Sequence, residues 1–219
     1  MIKITNLEKN LSSDFTLRID ELNIENGKRV AVIGSNGSGK STLLRLIAGI
    51  IKPDSGTICV SADKRKIGYE PQNPYAFRGT AEQNIKLGVH GKADVEKILS
   101  ACQLAELRNK PSHKLSGGEK QRMCFARMMV GNYSLLLLDE PLSAADIETS
   151  CRLENFLVDE CERNGTTLLM ATHLPSQALN IATKILIMNN GEISEYSDVS
   201  DLKNPKSEFG RKFIEQWRI

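Results

Sequence analysis

Residues 34–41 combine glycine, serine and lysine in a spacing that suits phosphate chemistry. They read Gly-Ser-Asn-Gly-Ser-Gly-Lys-Ser and fit the pattern G-x-x-x-x-G-K-[ST]. Glycines let the backbone turn its N–H groups toward an anion, and a following helix adds positive potential at its N-terminus. We expect Lys40 to reach the outer phosphates and the Ser41 hydroxyl to bind Mg²⁺. The segment predicts a nucleoside triphosphate site built from Ser35, Asn36, Gly37, Ser38, Gly39, Lys40, Ser41 and Thr42.

Two adjacent carboxylic acids, Asp139 and Glu140, follow the apolar run 135–138. Such a run is typical of a strand buried on both faces of a parallel sheet, and ligands bind at the carboxyl ends of these strands. Asp139 suits the coordination shell of Mg²⁺, usually through water. Glu140 could orient or deprotonate the water that attacks a phosphate. With the phosphate loop, the two acids indicate a magnesium-dependent triphosphate site.

A third tract, residues 115–119, places Ser116, Gly117 and Gly118 at the start of a predicted helix. A hydroxyl and backbone N–H groups in this position could bind a second anion. Alternatively, Ser116 caps the helix and Glu119 completes a capping box three residues later. Taken alone, the tract favours the capping interpretation.

The elements around the phosphate loop follow a strand–loop–helix order. Alternating apolar residues at 15–19 predict a strand, and residues 29–34 read as a buried strand that runs into the loop. Residues 42–49 predict a helix that ends at Gly49. This order is the context that the phosphate-binding pattern requires.

The second half of the chain repeats the alternation of strand and helix. Predicted strands at residues 134–139 and 166–172 flank a helical stretch at 147–164, which is the βαβ arrangement of a parallel sheet. Between the two halves, Leu, Ile and Ala recur at helical spacing over residues 81–130. We therefore predict an α/β core with a helical insertion.

Composition sets limits on the class of protein. The chain has 219 residues, of which 40% are hydrophobic and 26% charged, a balance that argues against disorder. A net charge of +2 is too small to indicate nucleic acid or an acidic membrane as a partner. The start of the chain lacks the apolar region of a signal peptide, and no run approaches the ~20 residues that span a bilayer. We expect membrane contact only through partner chains.

The five cysteines are scattered and form no C-x-x-C pair. This spacing favours reduced, mostly packed thiols in a cytosolic protein over a disulfide or a metal site.

In combination, these residues resemble the ATP-binding-cassette (ABC) ATPases, in which residues 115–119 correspond to the signature motif. The resemblance extends from about Phe15 to Glu192, with the motifs in the order and spacing of the family. Gln72 matches the Q-loop glutamine, residues 141–146 match the D-loop, and His173 matches the switch histidine. Each of these matches is weak alone, and their common order gives them weight.

The resemblance implies a fold. It predicts a P-loop (RecA-like) parallel-sheet core with an N-terminal antiparallel β subdomain and an inserted helical subdomain. We expect a single ABC ATPase domain over residues 1–219, with the helical subdomain at about residues 73–131.

The resemblance also implies a mechanism with ATP and Mg²⁺ as cofactors. Two ATP-binding domains would dock head to tail, so that each ATP lies between one chain's phosphate loop and the other chain's signature. Glu140 would act as general base or orient the water, and His173 would contact the γ-phosphate. Gln72 would touch Mg²⁺ or the lytic water and move with the helical subdomain. The further nucleotide-binding residues implied are Ser116, Gly117, Gly118 and Asp146.

Some positions depart from the family pattern. Ala145 stands where the D-loop usually has Leu, which could loosen that contact. The aromatic residue that stacks on adenine is usually Tyr; Phe15 is the best candidate here, and a strand residue facing the core is an equal alternative. A C-terminal stripe repeats every four residues and favours packing on its own domain over a partner surface; it comprises Phe209, Phe213 and Trp217.

The function implied is that of an ATP-hydrolysing subunit that powers a membrane transporter from the cytoplasmic face of the cell membrane. Its partners would be transmembrane permease subunits and a second ABC ATPase domain, in a homodimer or a heterodimer. Import is favoured over export, by analogy with short standalone bacterial cassettes, and no large regulatory domain is expected beyond Glu192. One alternative is a soluble ABC ATPase that acts on nucleic acid, ribosomes or protein assembly. Another is a nucleotide-gated interaction protein.

Overall fold

The strands of this computed structural model, which describes residues 1–89 and 93–217, form two sheets. The strands are β1 (Ile2–Ser12), β2 (Phe15–Ile24), β3 (Arg29–Gly34), β4 (Ser55–Val60), β5 (Ile67–Glu70), β6 (Leu135–Asp139), β7 (Thr167–Ala171), β8 (Lys184–Asn189) and β9 (Glu192–Asp198). A three-stranded antiparallel sheet has the order β2-β1-β4. A six-stranded sheet has the order β5-β6-β7-β3-β8-β9.

The larger sheet is parallel from β5 to β8, and only the edge strand β9 runs antiparallel. All residues of β6 and β7 are buried, as expected for strands covered on both faces. Ala171 at the end of β7 pairs with Val32 of β3 on one side and Asp139 of β6 on the other. The loops that follow these three strands are therefore neighbours at one edge of the sheet.

The helices are α1 (Lys40–Ile47), α2 (Ala81–Lys86), α3 (Val95–Ala101), α4 (Gly117–Met129), α5 (Ile147–Asn164), α6 (Pro175–Ile181) and α7 (Glu208–Glu215). Helices α2, α3 and α4 lie in the segment between β5 and β6. The predicted α/β fold class, with an N-terminal antiparallel sheet, a parallel core and inserted helices, is confirmed.

Three apolar clusters hold these elements together. The largest joins the inserted helices to α5 and to one face of β6 and β7, with Phe125 of α4 fully buried. The second packs α1 and the antiparallel sheet against the other face of β3, β6 and β7. The third lies under α6 and α7. The inserted helices therefore share their core with the sheet.

The C-terminal helix α7 packs on its own domain through Phe213 and Ile214. The rings of Phe209 and Phe213 stack with centroids 6.0 Å apart. Trp217 at the end of the stripe stays 40% exposed, so the packing covers only part of it.

The five cysteines are free thiols, three of them buried and two exposed. Within the described ranges, no helix is both long and apolar enough to cross a membrane.

Candidate nucleotide-binding site

The turn from β3 into the phosphate loop requires glycine. Gly34 has a φ of 150°, and a Cβ atom there would lie 2.1 Å from the carbonyl oxygen of Met188. Gly39 has a φ of 103° and serves as the N-cap of α1. Because this left-handed residue closes the loop, α1 begins at Lys40, two residues before the predicted start at Thr42.

Lys40 lies across the phosphate loop. Its Nζ donates hydrogen bonds to the carbonyl oxygens of Gly34 and Ser35, each at 2.9 Å. Burial lowers the pKa of Lys40, and the negative charges of Glu140 and Asp139 partly offset that effect. The ammonium group is thus held in place by the loop itself, close to both carboxylates.

Asp139 and Ser41 place two side-chain oxygen groups next to each other, joined by a hydrogen bond. Asp139 is 2% exposed, and its Oδ2 has no hydrogen-bond partner among the described residues. Burial raises the pKa of Asp139, whereas a hydrogen bond with the Ser41 side chain lowers it. A buried carboxylate oxygen without a partner, next to a hydroxyl, matches the hard oxygen ligands that Mg²⁺ prefers. The residues present fit this ion.

Glu140 lies between the other two predicted catalytic residues. Nε2 of Gln72 donates to its Oε2 at 3.1 Å, and Nδ1 of His173 lies 3.4 Å from its Oε1. The backbone of Glu140 has a φ of 51°, in the left-handed region that favours glycine. Its N–H donates to the carbonyl of Ala171 at 3.0 Å, which ties the strained residue to β7.

These residues line one cavity of about 570 Å³ at the carboxyl edge of the sheet. Phe15 reaches it from β2 and is half-buried, with its side chain also packed on the second apolar cluster. The side chain therefore packs on the core and also borders the cavity, and its stacking on adenine stays a prediction. The predicted site residues that line the cavity are Phe15, Asn36, Gly37, Ser38, Gly39, Lys40, Ser41, Thr42, Gln72, Glu140 and His173.

The structure does not bring the signature residues to this cavity. Ser116 caps α4 and forms a capping box with Glu119, in which the Ser116 hydroxyl accepts from the Glu119 N–H at 3.2 Å. The Glu119 carboxylate accepts in turn from the Ser116 N–H at 2.8 Å. Asp146 likewise lies outside the cavity lining and caps α5. Ser35 and Asp139 are also absent from the lining of the cavity.

Two residues of this region were missed by the sequence analysis. Leu11, 46% exposed near the β1–β2 turn, lines the cavity beside Phe15. Gln121 of α4 donates through Nε2 to the Glu140 carbonyl at 3.1 Å and accepts through Oε1 from the Ala144 N–H at 2.7 Å. A lone Leu carries no chemical signal. The signal for Gln121 is an amide placed on the buried face of a predicted helix.

A parallel sheet with a glycine loop at the end of β3 and a carboxylate pair at the end of β6 defines a P-loop nucleotide-binding domain. The family model described as ABC transporter matches residues 17–143. The chain belongs to the ABC transporter family. The predicted resemblance to an ABC ATP-binding subunit is therefore confirmed, and ATP-binding subunits of this family are ATPases.

Relatives across bacteria and archaea support this assignment. The chain is 35% identical over 231 residues to the sulfate/thiosulfate import ATP-binding protein CysA of Synechocystis sp., covering 97% of this chain and 65% of that protein. It is 34% identical over 232 residues to the molybdate/tungstate import ATP-binding protein WtpC of Methanocaldococcus jannaschii, covering 98% and 76%. The chain thus spans about two thirds of the length of the CysA relative.

Solved structures share the fold. A structure of an ABC transporter described as of metal-chelate type, in an inward-facing conformation, superposes with a TM-score of 0.77 at 28% identity. The match covers 92% of this chain and 84% of that one. A bacterial Atm1-family ABC exporter with ATP bound gives a TM-score of 0.86 at 24% identity, covering 98% and 41%.

Proposed function

We propose that this chain hydrolyses ATP with Mg²⁺ and thereby powers an ABC importer. The observation that carries the proposal is the position of the Glu140 carboxylate. It faces the amide of Gln72 and the imidazole of His173 in the cavity that the phosphate loop lines. A carboxylate held in this way can accept a proton from water or orient it toward a phosphate.

The chain's own groups supply the rest of the site. The loop N–H groups and Lys40 would bind the phosphates, and Asp139 with Ser41 would hold Mg²⁺. The ion would neutralise charge on the phosphate oxygens when bound. His173 would donate a hydrogen bond to the γ-phosphate, and Gln72 would follow the nucleotide's state through its contact with Glu140.

A second copy of an ABC ATPase domain would complete the site. Ser116, Gly117 and Gly118 open α4 outside the cavity, where another chain's nucleotide could meet them. Beside them, Asp146 is exposed and the adjoining Ile147 is 86% exposed. An apolar side chain this open next to the D-loop is consistent with burial against a partner.

We further propose that the chain is one ABC ATPase domain with a helical subdomain at about residues 73–131, docked on transmembrane permease subunits at the cytoplasmic face. The exposed aromatic rings of Tyr75 and Phe77 follow the Q-loop, and Leu87 ends α2. These apolar groups suit contact with an apolar segment of another chain. The import direction is favoured because the CysA and WtpC relatives are both named as import ATP-binding proteins. Those names do not favour the alternative of a soluble ABC ATPase.

The test compares wild type with Glu140→Gln in ATP turnover and in light scattering after size exclusion, with and without ATP and Mg²⁺. We expect turnover to fall at least 100-fold and the variant to become dimeric only with ATP. Loss of ATP binding in the Glu140→Gln variant would contradict the assignment of Glu140 to hydrolysis. Unchanged turnover would remove Glu140 from the mechanism.

A further inference from the structure

A network of hydrogen-bonded polar side chains lies between α5 and α6 and ends at the loop after β7. The contributors are Ser150 and Glu154 from α5, Gln177 and Asn180 from α6, and Thr172 from the loop. Glu154 is 3% exposed, Gln177 7% and Thr172 1%. Groups this polar are retained in a protein interior only when hydrogen bonds satisfy them.

In every hydrogen bond of this network, the donor lies on the side away from Glu154 and the acceptor on the side toward it. The Leu174 N–H donates to Oγ1 of Thr172 at 3.1 Å, and the Thr172 hydroxyl donates to Oε1 of Gln177 at 2.5 Å. Nε2 of Gln177 donates to Oγ of Ser150 at 3.3 Å. The Ser150 hydroxyl then donates to Oε1 of Glu154 at 2.8 Å.

The carboxylate of Glu154 accepts the last hydrogen bonds of the network through both of its oxygens. Its second oxygen, Oε2, accepts from Nδ2 of Asn180 at 2.9 Å. The Ser150 hydroxyl has one hydrogen to donate, and it uses that hydrogen in the bond to Oε1 of Glu154. That orientation leaves Oγ of Ser150 as an acceptor for the Gln177 amide nitrogen, and the amide oxygen then faces Thr172. These hydrogen bonds thus fix the orientation of each side chain in turn.

We propose that Ser150, Glu154 and Gln177 position the loop that carries the switch histidine. His173 lies between Thr172 and Leu174, the two residues at the end of the hydrogen-bonded chain. Its own contact is long, with Nδ1 3.4 Å from Oε1 of Glu140 and a side chain 43% exposed. The imidazole therefore depends on its loop, rather than on its own contacts, for its position.

The same residues connect this loop to the D-loop. The Ser150 N–H donates to the Asp146 carbonyl at 2.8 Å, within the first turn of α5. The Asp146 carboxylate caps that turn by accepting from the Thr149 N–H at 2.9 Å. A partner chain that displaces Asp146 would shift Ser150 with it, and the loop of His173 would follow. This inference rests on the proposed function, because His173 has a role only if ATP is hydrolysed here.

The test uses Ser150→Ala and Glu154→Gln in the full chain, with Asp159→Asn as the matched control on an exposed position of α5. Ser150→Ala raises helix propensity, so a loss in this variant does not come from a weaker helix. We expect kcat for ATP to fall about 10-fold in both variants while KM changes less than about twofold. In a His173→Ala background, the same changes should have no further effect on kcat. The control should retain the wild-type kcat.

Hydrogen exchange gives a readout that does not need activity. We expect the Leu174 amide to exchange about 10-fold faster in Ser150→Ala, with the amides of β7 unchanged. Wild-type kcat and wild-type exchange at Leu174 in both variants would overturn the proposal. An equal loss of kcat in the His173→Ala background would also overturn it. If even the wild type fails to hydrolyse ATP, the proposed function fails, and the exchange rate still decides whether these residues hold the loop.

Discussion

The backbone of Glu140 has a left-handed conformation that few residues other than glycine adopt. A left-handed φ of 51° costs a residue with a Cβ atom about 1–2 kcal/mol. The hydrogen bonds of its N–H to Ala171 and of its carbonyl to Gln121 hold the residue there. Strain of this kind is retained where it places a side chain that regular backbone could not place. Here it turns the carboxylate from the end of β6 toward Gln72 and His173.

Glu70, at the end of β5, is a buried acid without compensation. Its side chain is 2% exposed, and within the described residues neither carboxyl oxygen has a hydrogen-bond partner. Burial raises the pKa of Glu70 from 4.5 to about 8, although the charge of Arg127 opposes the shift. Between these two values the folded chain keeps the proton and the unfolded chain loses it. The free energy of unfolding therefore falls as pH rises from 4.5 to about 8.

We predict that Glu70→Gln removes this pH dependence. In wild type, each pH unit in the window costs about 1.4 kcal/mol of stability from this residue. Urea unfolding at several pH values between 5 and 8 measures the slope. Glu106→Gln, at an exposed position, should keep the wild-type slope. A Glu70→Gln slope equal to that of wild type would mean that Glu70 is ionised in the folded protein.

At the level of elements, α4 links the predicted signature at its start to the backbone of Glu140. Its Gln121 is 8% exposed and forms three hydrogen bonds with the segment that follows β6. The bonds join the Glu140 carbonyl, the Ser143 hydroxyl and the Ala144 N–H. A movement of α4 would therefore be transmitted directly to the backbone of Glu140.

We predict that Gln121→Ala destabilises the protein by about 1–3 kcal/mol, because the Ala144 N–H loses its acceptor and the Glu140 carbonyl its side-chain donor. Gln121→Glu keeps the oxygen that accepts from the Ala144 N–H and loses the two bonds that Nε2 donates. Comparing the two variants should therefore separate the contribution of the accepted bond from that of the donated bonds. Urea denaturation measures the stability, and ATP turnover measures the effect on Glu140. A stability equal to wild type in both variants would contradict the role of Gln121 as a link.

The sequence predicts helix boundaries best where a capping residue marks each end of the helix. Helix α5 spans the predicted residues 147–164, because Asp146 caps its start and Gly165, with a φ of 62°, ends it. The alternation in β1 breaks at Asn6, whose φ of 48° accompanies a register shift between Thr5 and Glu8. That strand was expected only through the family resemblance, because a bulge hides the period of two.

The site was predictable where a motif fixes the backbone and not where tertiary packing decides. The phosphate loop and the acids at the end of β6 come from local patterns, and Glu140 lines the same cavity as loop residues 36–42. Leu11 enters the cavity only because the β1–β2 hairpin passes over the loop. Similarly, the residues that order the loop of His173 come from α5 and α6. The hydrogen bonds between these helices join residues 27 and 26 positions apart, so their pairing depends on how the helices pack.

For the whole molecule, burial divides the cysteines into two classes. Burial raises the pKa of Cys102 to about 12, of Cys124 to about 11 and of Cys161 to about 12, so these thiols resist ionisation. All three belong to the cluster that joins the inserted helices to the sheet. Cys59 and Cys151 are exposed.

We predict that a thiol reagent such as Ellman's reagent labels Cys59 and Cys151 in the native protein and all five cysteines in denaturant. The reaction is followed by absorbance, and labelled positions are assigned by peptide mass. Fast native labelling of Cys102 or Cys124 would show that the inserted helices separate from the sheet without global unfolding. Adding ATP and Mg²⁺ to the same assay would report whether nucleotide changes that opening.

The bonds of Lys40 to the carbonyls of Gly34 and Ser35 have a consequence for the choice of inactive variants. Replacing this lysine is an obvious way to abolish phosphate binding. Here the replacement would also take donors away from two carbonyl groups and loosen the turn after β3. Such a variant reports a damaged loop as well as a missing charge. Glu140→Gln keeps the shape of the side chain and leaves the loop intact, so it is the cleaner variant with which to test the proposed hydrolysis.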